Sequence, residues 1–332
     1  MNPGSLECNV VAHQKGITAE PPCRRTPWQI SKDWAGVWCL VFNRNHQRPI
    51  CVSHLHTFEH VGRVHCITIS RNGEFVATGG RRSAQVFHVE SGNNIATFED
   101  SDIFRQGYLH GIEGINVLRF SPDAKLLVTG GEIGMIKVWD VVSKSLKLQL
   151  NKHTTDVRSL DVSRDGAYLV SGSSRGTIIL WDFPQGHSSR KLPMKDALEV
   201  SYLSFSPNST LIAAAFDSDE SPTPTPIMLW NIEGLLVARL DTQNLNMFVV
   251  FSPKSDKLFA GAWNANLWES SHNTEVWKPV EVANNEVCYY LGSGLWVDER
   301  LCVLIEGPGD FYLWDLSREE ALFAGEHDTS SK

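Results

Sequence analysis

Four arginines are the side chains of this chain whose type and placement best suit chemistry. Arg81, Arg82, Arg158 and Arg175 fall at turns or strand entries of repeated segments, in a protein whose formal net charge is −8. Planar guanidinium forks match carboxylate and phosphate oxygens, so as a group they would read an acidic or phosphorylated peptide. The alternative is four solvated turn arginines, and the sequence does not separate the two. A second segment able to carry chemistry is DSDESPTPTP (217–226), where Ser221, Thr223 and Thr225 each precede a proline. Phosphorylation there would add about −1.5 to −2 charges per site beside carboxylates already present. The alternative is a tolerated loop insertion.

No catalytic constellation accompanies them. The chain holds no G-x-G-x-x-G, P-loop, H-E-x-x-H or G-x-S-x-G, and with twelve histidines a pair such as His153 and Asp156 arises by chance. We expect no enzymatic activity and no cofactor. Seven cysteines at 8, 23, 39, 51, 66, 288 and 302 form no C-x-x-C, so neither a metal site nor a disulfide framework is expected, and the nucleus or cytoplasm, or both, is the expected location. No apolar run approaches the roughly 18 residues of a membrane span, and no signal-peptide core opens the chain. The acidic balance opposes direct nucleic-acid binding, which rests on phosphate neutralisation. Partners are expected to be proteins or peptides.

The elements that position these residues repeat. VTGGEIGMIKVWD, VSGSSRGTIILWD, IMLWN and FYLWD close successive units, and the tryptophans step by 42 (139 to 181), 49 (181 to 230), 38 (230 to 268) and 46 (268 to 314) residues. A period near forty ending in Trp-Asp reads as WD repeats, each one blade of an all-β propeller. Inner strands align as VHCITIS (64–70), INVLRFS (115–121), VRSLDVS (157–163), VSYLSFS (200–206), NMFVVFS (246–252) and VCYYLGS (287–293), each followed by a turn signal such as SPDAK or SRDGA. WCLVF (38–42) and ICVSHLHTF (50–58) read as half a blade whose strand joins the last blade and closes the ring. Seven blades are favoured and six is the alternative. Residues 1–27 are expected to be a disordered tail, 28–327 the propeller and 328–332 a C-terminal tail.

In that register one rim collects the residues just inside each inner strand, His65, Asn116, Arg158, Ser201, Met247 and Cys288. The turns between second and third strands add Arg81, Arg82, Glu132, Arg175, Asp217 and Trp263. A well-formed repeat also holds a buried set of His, Ser or Thr, Asp and Trp. Here the histidines would be His60 and His153 and the hydroxyls Thr78, Thr129 and Ser171. The Asp position holds Ile133, Arg175, Pro224 and, in the first repeat, Arg82, with His88 standing where Trp is expected. The network is therefore incomplete in every repeat.

The run from VHCITISRNGEFVATGG through VLRFSPDAKLLVTGG to DVRSLDVSRDGAYLVSGSSRGTIILWD resembles the C-terminal propeller of fungal Tup-family corepressors, which are Groucho-like in function; the likeness is good over 34–182 and weak afterwards. The resemblance implies a non-enzymatic scaffold that docks on DNA-bound repressors through its rim, brings chromatin-modifying partners and does not itself read DNA. Arg158 falls at a rim position that family uses for contacts, with a different residue type. The family places a helical oligomerisation segment before its propeller. No heptad pattern precedes Trp28 here, which suits a truncated paralogue without self-assembly. The alternatives are a generic WD adaptor in ubiquitin ligation or signalling and, more remotely, a propeller enzyme.

Overall fold

In the computed structural model the described residues are 8–10, 28–31, 38–43, 55–60, 62–81, 83–99, 114–186, 189–194, 198–217, 224–242, 246–262, 265–270, 276–280, 290–297, 300–306, 310–315 and 320–327. They form strands throughout, broken by one 3-10 turn, Glu132–Gly134. Each period of about forty residues makes one antiparallel meander. The first sheet is Val64–Ile69, Phe75–Gly80, Ser83–His88 and Asn94–Glu99; the second is Ile115–Phe120, Leu126–Gly131, Ile136–Asp140 and Ser145–Leu150. The third is Val157–Val162, Tyr168–Ser173, Ile178–Asp182 and Ser189–Lys191, and the fourth is Glu199–Phe205, Leu211–Asp217, Ile227–Asn231 and Leu236–Leu240. The fifth is Asn246–Phe251, Lys257–Ala262, Ala265–Ser270 and Trp277–Val280. This is the all-β architecture of a WD-repeat propeller.

The sixth sheet carries the chain ends. Tyr290–Val297, Arg300–Glu306, Asp310–Asp315 and Glu320–His327 make its meander, and Trp38–Asn43 then pairs with Glu320–His327. The N-terminal strand therefore joins the last sheet as expected, but it adds a fifth strand instead of completing a blade, and Trp28–Ser31 adds a sixth. Among the described residues six sheets of four or more strands result, where seven blades were favoured. The expected half-blade is not one unit. Trp38–Asn43 goes to the sixth sheet, while His56–Phe58 pairs with Cys8–Val10, a strand inside the expected tail. Most of that tail and residues 328–332 lie outside the described residues. The last inner strand is described over Tyr290–Val297, and residues 287–289 of its expected span lie outside the described residues.

The apolar core lies between neighbouring sheets. Val86 and Phe98 of the first meet Leu118 and Trp139 of the second in one cluster, with Phe98 stacked on Trp139 at 5.1 Å between ring centroids. Val128 and Val138 of the second meet Leu160 and Trp181 of the third, and the pattern continues through the fourth to the fifth. Polar bonds also cross these seams. Ser159 Oγ accepts the Leu203 N–H at 2.8 Å and Asp161 Oδ2 accepts the Phe205 N–H at 2.6 Å. Arg119 Nε approaches Asp161 Oδ1 to 3.6 Å, both side chains about a quarter exposed, and the guanidinium also donates to the Tyr202 hydroxyl at 3.4 Å.

Each of five inner strands is followed directly by a buried serine that holds the turn. Ser70, Ser121, Ser163, Ser206 and Ser252 donate to Asn72, Asp123, Asp165, Asn208 and Asp256 and accept the backbone N–H of the second strand's first or preceding residue. Those oxygens satisfy turn donors that would otherwise be buried without a partner.

Candidate functional site

The rim residues share one backbone feature. In the first sheet Val64 pairs with Gly80 and Cys66 with Gly79, so His65 is an extra, unpaired residue. Asn116 is skipped in the same way between Ile115 and Val117, Arg158 between Val157 and Ser159, Ser201 between Val200 and Tyr202, and Met247 between Asn246 and Phe248. Each is a β-bulge, which bends the strand and re-aims one side chain. The sixth sheet skips Gly292, between Leu291 and Ser293. That replaces Cys288, which lies outside the described residues, as the equivalent position.

The turns between second and third strands emerge at the same end. Arg81 follows Gly80, Glu132 opens the 3-10 turn after Gly131, Arg175 lies in the turn after Ser173, and Asp217 pairs with Glu199 beside the fourth bulge. Neighbouring sheets interlock there. Glu132 N–H donates to Gly114 O at 3.2 Å, and a Cβ on Gly114 would collide with the Arg81 backbone. Arg82, Trp263, Ser221 and Thr223 lie outside the described residues.

Charge alternates along this rim. Arg158 Nε is 3.2 Å from Glu199 Oε1, with the arginine side chain 41% exposed and the glutamate 24%. Arg81 and Arg175 are exposed, and Glu132 and Asp217 are half-buried between them. Among the described residues three arginines thus share the end with three carboxylates, and Arg158 is already engaged. Glu199 is the residue that sequence reasoning missed; it lies one sheet away from Arg158, and only the fold brings them together. Ser201 Oγ donates to Asn246 O at 3.4 Å; His65, Asn116 and Met247 are half-buried side chains of unlike chemistry.

Thr225 is placed where modification is not open to it. It is 1% exposed, its hydroxyl donates to Phe216 O at 2.8 Å, and its carbonyl accepts Thr242 Oγ1 at 2.8 Å and Asn246 Nδ2 at 3.2 Å. The threonine closes the base of the fourth-sheet loop instead of standing out on it.

The buried His-hydroxyl-Trp set forms fully in the third sheet. His153 Nε2 lies 2.7 Å from Ser171 Oγ, which also accepts the Trp181 indole N–H at 2.8 Å. Burial first, and Lys191 second, push the His153 pKa from 6.5 down to about 4. In the second sheet Trp139 donates to Thr129 at 3.1 Å. In the first sheet Val76 pairs with Phe87 just as Leu127 pairs with Trp139. Phe87, and not His88, therefore takes the Trp position, and the Asp position six residues earlier falls on Arg81 instead of Arg82.

No group of three or more His, Cys, Asp or Glu among the described residues is placed to hold a metal ion, and no helix there is long and apolar enough to cross a membrane. Six repeated meanders, stacked through their inner strands and bulged alike, now stand beside the sequence match. The nucleolar protein 10-like, N-terminal domain family matches residues 30–253. The chain belongs to that family.

Similarity outside it is partial. The transcriptional repressor rco-1 of Neurospora crassa is 35% identical over 124 residues, 37% of this chain and 20% of that protein. Small ribosomal subunit protein RACK1y of Oryza sativa subsp. japonica is 33% identical over 126 residues, 37% of this chain and 34% of that protein. Small ribosomal subunit protein RACK1 of Caenorhabditis elegans is 32% identical over 121 residues, 36% and 34%. The chain spans about a third or less of the length of these relatives. For this nucleolar protein 10-like propeller, likeness to a repressor is thus confined to about a third of the chain, and what extends across it is the WD-repeat propeller.

Proposed function

We propose that this chain is a non-enzymatic protein-interaction scaffold whose partners seat on the bulged rim. The observation carrying that reading is one repeated backbone position filled by five unlike side chains, His65, Asn116, Arg158, Ser201 and Met247. A catalytic site needs a few groups converging on one reacting atom; a row of separately aimed groups at a common level suits contact with a broad protein surface. Alternating charge favours one docking register over others, and Met and Arg are enriched where such surfaces are buried.

The finer version is a transcriptional corepressor that docks on DNA-bound repressors without contacting DNA, working in the nucleus. Its support is the likeness to a protein named a transcriptional repressor. The second reading, a generic adaptor in the cytoplasm, draws on the equal share of the chain that resembles two small ribosomal subunit proteins. Phosphorylation of Ser221 or Thr223 would add negative charge to the loop that Thr225 anchors, beside the Asp217 end of the rim.

Affinity purification of the tagged chain from its own cells, with mass spectrometry of what co-purifies, tests this. Repressors and chromatin-modifying subunits are expected under the corepressor version. They should be lost from Arg175→Glu and from Met247→Ala, two separate surface changes that keep the thermal midpoint. Recovery of ligase or signalling subunits transfers the role to the adaptor reading. Capture unchanged by both substitutions overturns the rim as the docking surface.

A further inference from the structure

At the opposite end of the sheets a groove of about 730 Å³ runs between the first and second sheets. Phe75 and Ile95 from the first and Val141 and Val142 from the second make its apolar walls. Val142 is 78% exposed, the largest exposure of a big hydrophobic side chain among the described residues. Exposed apolar surface set in a concave, cation-rimmed groove marks a contact site more than a stray surface valine does.

Two backbone positions at this groove are strained; the first is shared with Ser209 and Ser255 of the fourth and fifth sheets, and the second, Lys144, is glycine in the other described repeats. Ala124 has φ 58 and Lys144 φ 54, in the left-handed region that a Cβ disfavours. The equivalent positions are Gly73 and Gly92 in the first sheet and Gly166 and Gly186 in the third, all at positive φ. Only around this groove do both positions carry side chains among the first four sheets; the fourth has Ser209 and Gly234. Strain retained at one site points to a use for the side chain it holds.

That side chain is a cation without a carboxylate bonded to it among the described residues. Lys125 Nζ lies 3.7 Å from Asp123 Oδ2, but both side chains are more than half exposed and the pair is weak. Asp123 is committed to its turn. It accepts from Ser121 Oγ at 2.7 Å and from Lys125 N–H at 3.2 Å, and the Ser121 bond chiefly holds its pKa below the ordinary carboxylate range. Lys144 therefore stands as the available positive charge on the lip of an apolar groove, in a chain of net charge −8.

We propose that this groove docks an extended peptide presenting one apolar anchor with a carboxylate beside it. The anchor fills the space between Phe75, Ile95 and Val142, and the carboxylate meets Lys144. Four apolar walls offer nothing to a phosphate backbone, and two lysines are too few to hold a nucleic acid, whose binding scales with the phosphates neutralised. The site lies at the other end of the sheets from the bulged rim, so either surface can fail without the other.

The test is selection of a displayed octapeptide library on the full chain, followed by fluorescence anisotropy with the most enriched peptide. Enrichment of an apolar residue next to Asp or Glu is expected. Lys144→Gly should weaken that peptide about tenfold or more, the scale of a lost contact at the centre of a small interface. The same substitution restores the glycine found in neighbouring repeats, so its thermal midpoint should hold or rise. A purely structural lysine would not give that opposition of binding and stability. Val142→Ser should weaken the peptide too, and Arg175→Glu should leave it unchanged. Enrichment without the apolar-acid pair, affinity indifferent to Lys144→Gly and Val142→Ser, loss with Arg175→Glu, or competition by a single-stranded oligonucleotide would each overturn the proposal.

Discussion

The third and fourth sheets share one register, yet only the third completes its buried polar set. Trp181 and Trp230 are both essentially unexposed and pair with Leu169 and Ile212 at the same place. Ser171 accepts the Trp181 indole, whereas Ala214 stands at the equivalent position in the fourth sheet and the Trp230 N–H has no partner. The first sheet shows the reverse loss. Thr78 keeps the hydroxyl, but Phe87 has replaced the indole and the Thr78 oxygen is buried without a partner. In all three the large ring survives. A buried aromatic side chain contributes about 3–5 kcal/mol, while an orphaned polar atom costs about 1–3 kcal/mol. The packing volume is therefore the harder feature to lose. The serine-closed turns, which fix each hairpin's register, are kept in the first five sheets.

Breaking the complete set should have the largest effect. Ser171→Ala removes the partner of both the Trp181 N–H and His153 Nε2, and urea unfolding should show a loss of about 3 kcal/mol. Thr129→Val, which orphans Trp139 alone, should lose about half as much. Equal losses would mean that His153 adds nothing to the third sheet.

Acid should expose the same asymmetry. The His153 pKa of about 4 lies below its ordinary 6.5, so the unfolded chain takes up the proton first as pH falls. Its contribution is complete above about pH 6.5 and is lost between there and pH 4, amounting to about 3 kcal/mol. Denaturation midpoints measured across that window should flatten in His153→Asn. Asp123 and Asp165, held below their ordinary range, would lose their contributions only at lower pH. An unchanged slope in His153→Asn would assign the acid sensitivity elsewhere.

The amino-acid sequence made the bulge row legible because strong alternation in the first five inner strands pins which residue sits just inside each strand. It did not reveal that these residues are bulges, since a bulge is a property of the pairing partner's count. Where alternation weakens, as in VCYYLGS, the register slipped by four residues, from the expected Cys288 to the bulge at Gly292. The His88 assignment erred by one because the first repeat has no Trp to mark the strand, and Phe87, the volume-preserving substitute, reads as ordinary core. The Arg158–Glu199 pair depends on sheet stacking that no local pattern encodes. Thr225 read as a phosphorylation candidate in a loop insertion, yet its hydroxyl donates to the Phe216 carbonyl nine residues back. The recurring serine at the end of each inner strand was visible, but it read as the last strand residue instead of the keystone of the turn.

Repairing the fourth sheet should sharpen the comparison with a smaller effect. Ala214→Ser offers Trp230 the acceptor that Ser171 offers Trp181, and its strand neighbour Leu203 corresponds to Leu160 in the third sheet. A gain of about 1 kcal/mol in denaturant unfolding is expected. A loss would show that the fourth sheet has closed around the alanine and that the added oxygen overpacks it.

The smallest change is also the cleanest test of sign. Thr78→Val preserves shape and removes a hydroxyl that is buried, 1% exposed and without a partner. Ordinarily Thr→Val is not a neutral exchange, because the hydroxyl is bonded. Here there is no bond to lose and a desolvated oxygen to remove, so stability should rise by about 0.5 kcal/mol. The same chemical change at Thr129 should lower it. Opposite signs for two threonines at one register, one facing Phe87 and the other Trp139, would establish that the indole partner decides what the hydroxyl is worth. A loss at both positions would mean that Thr78 has a bonding role the Trp comparison does not capture.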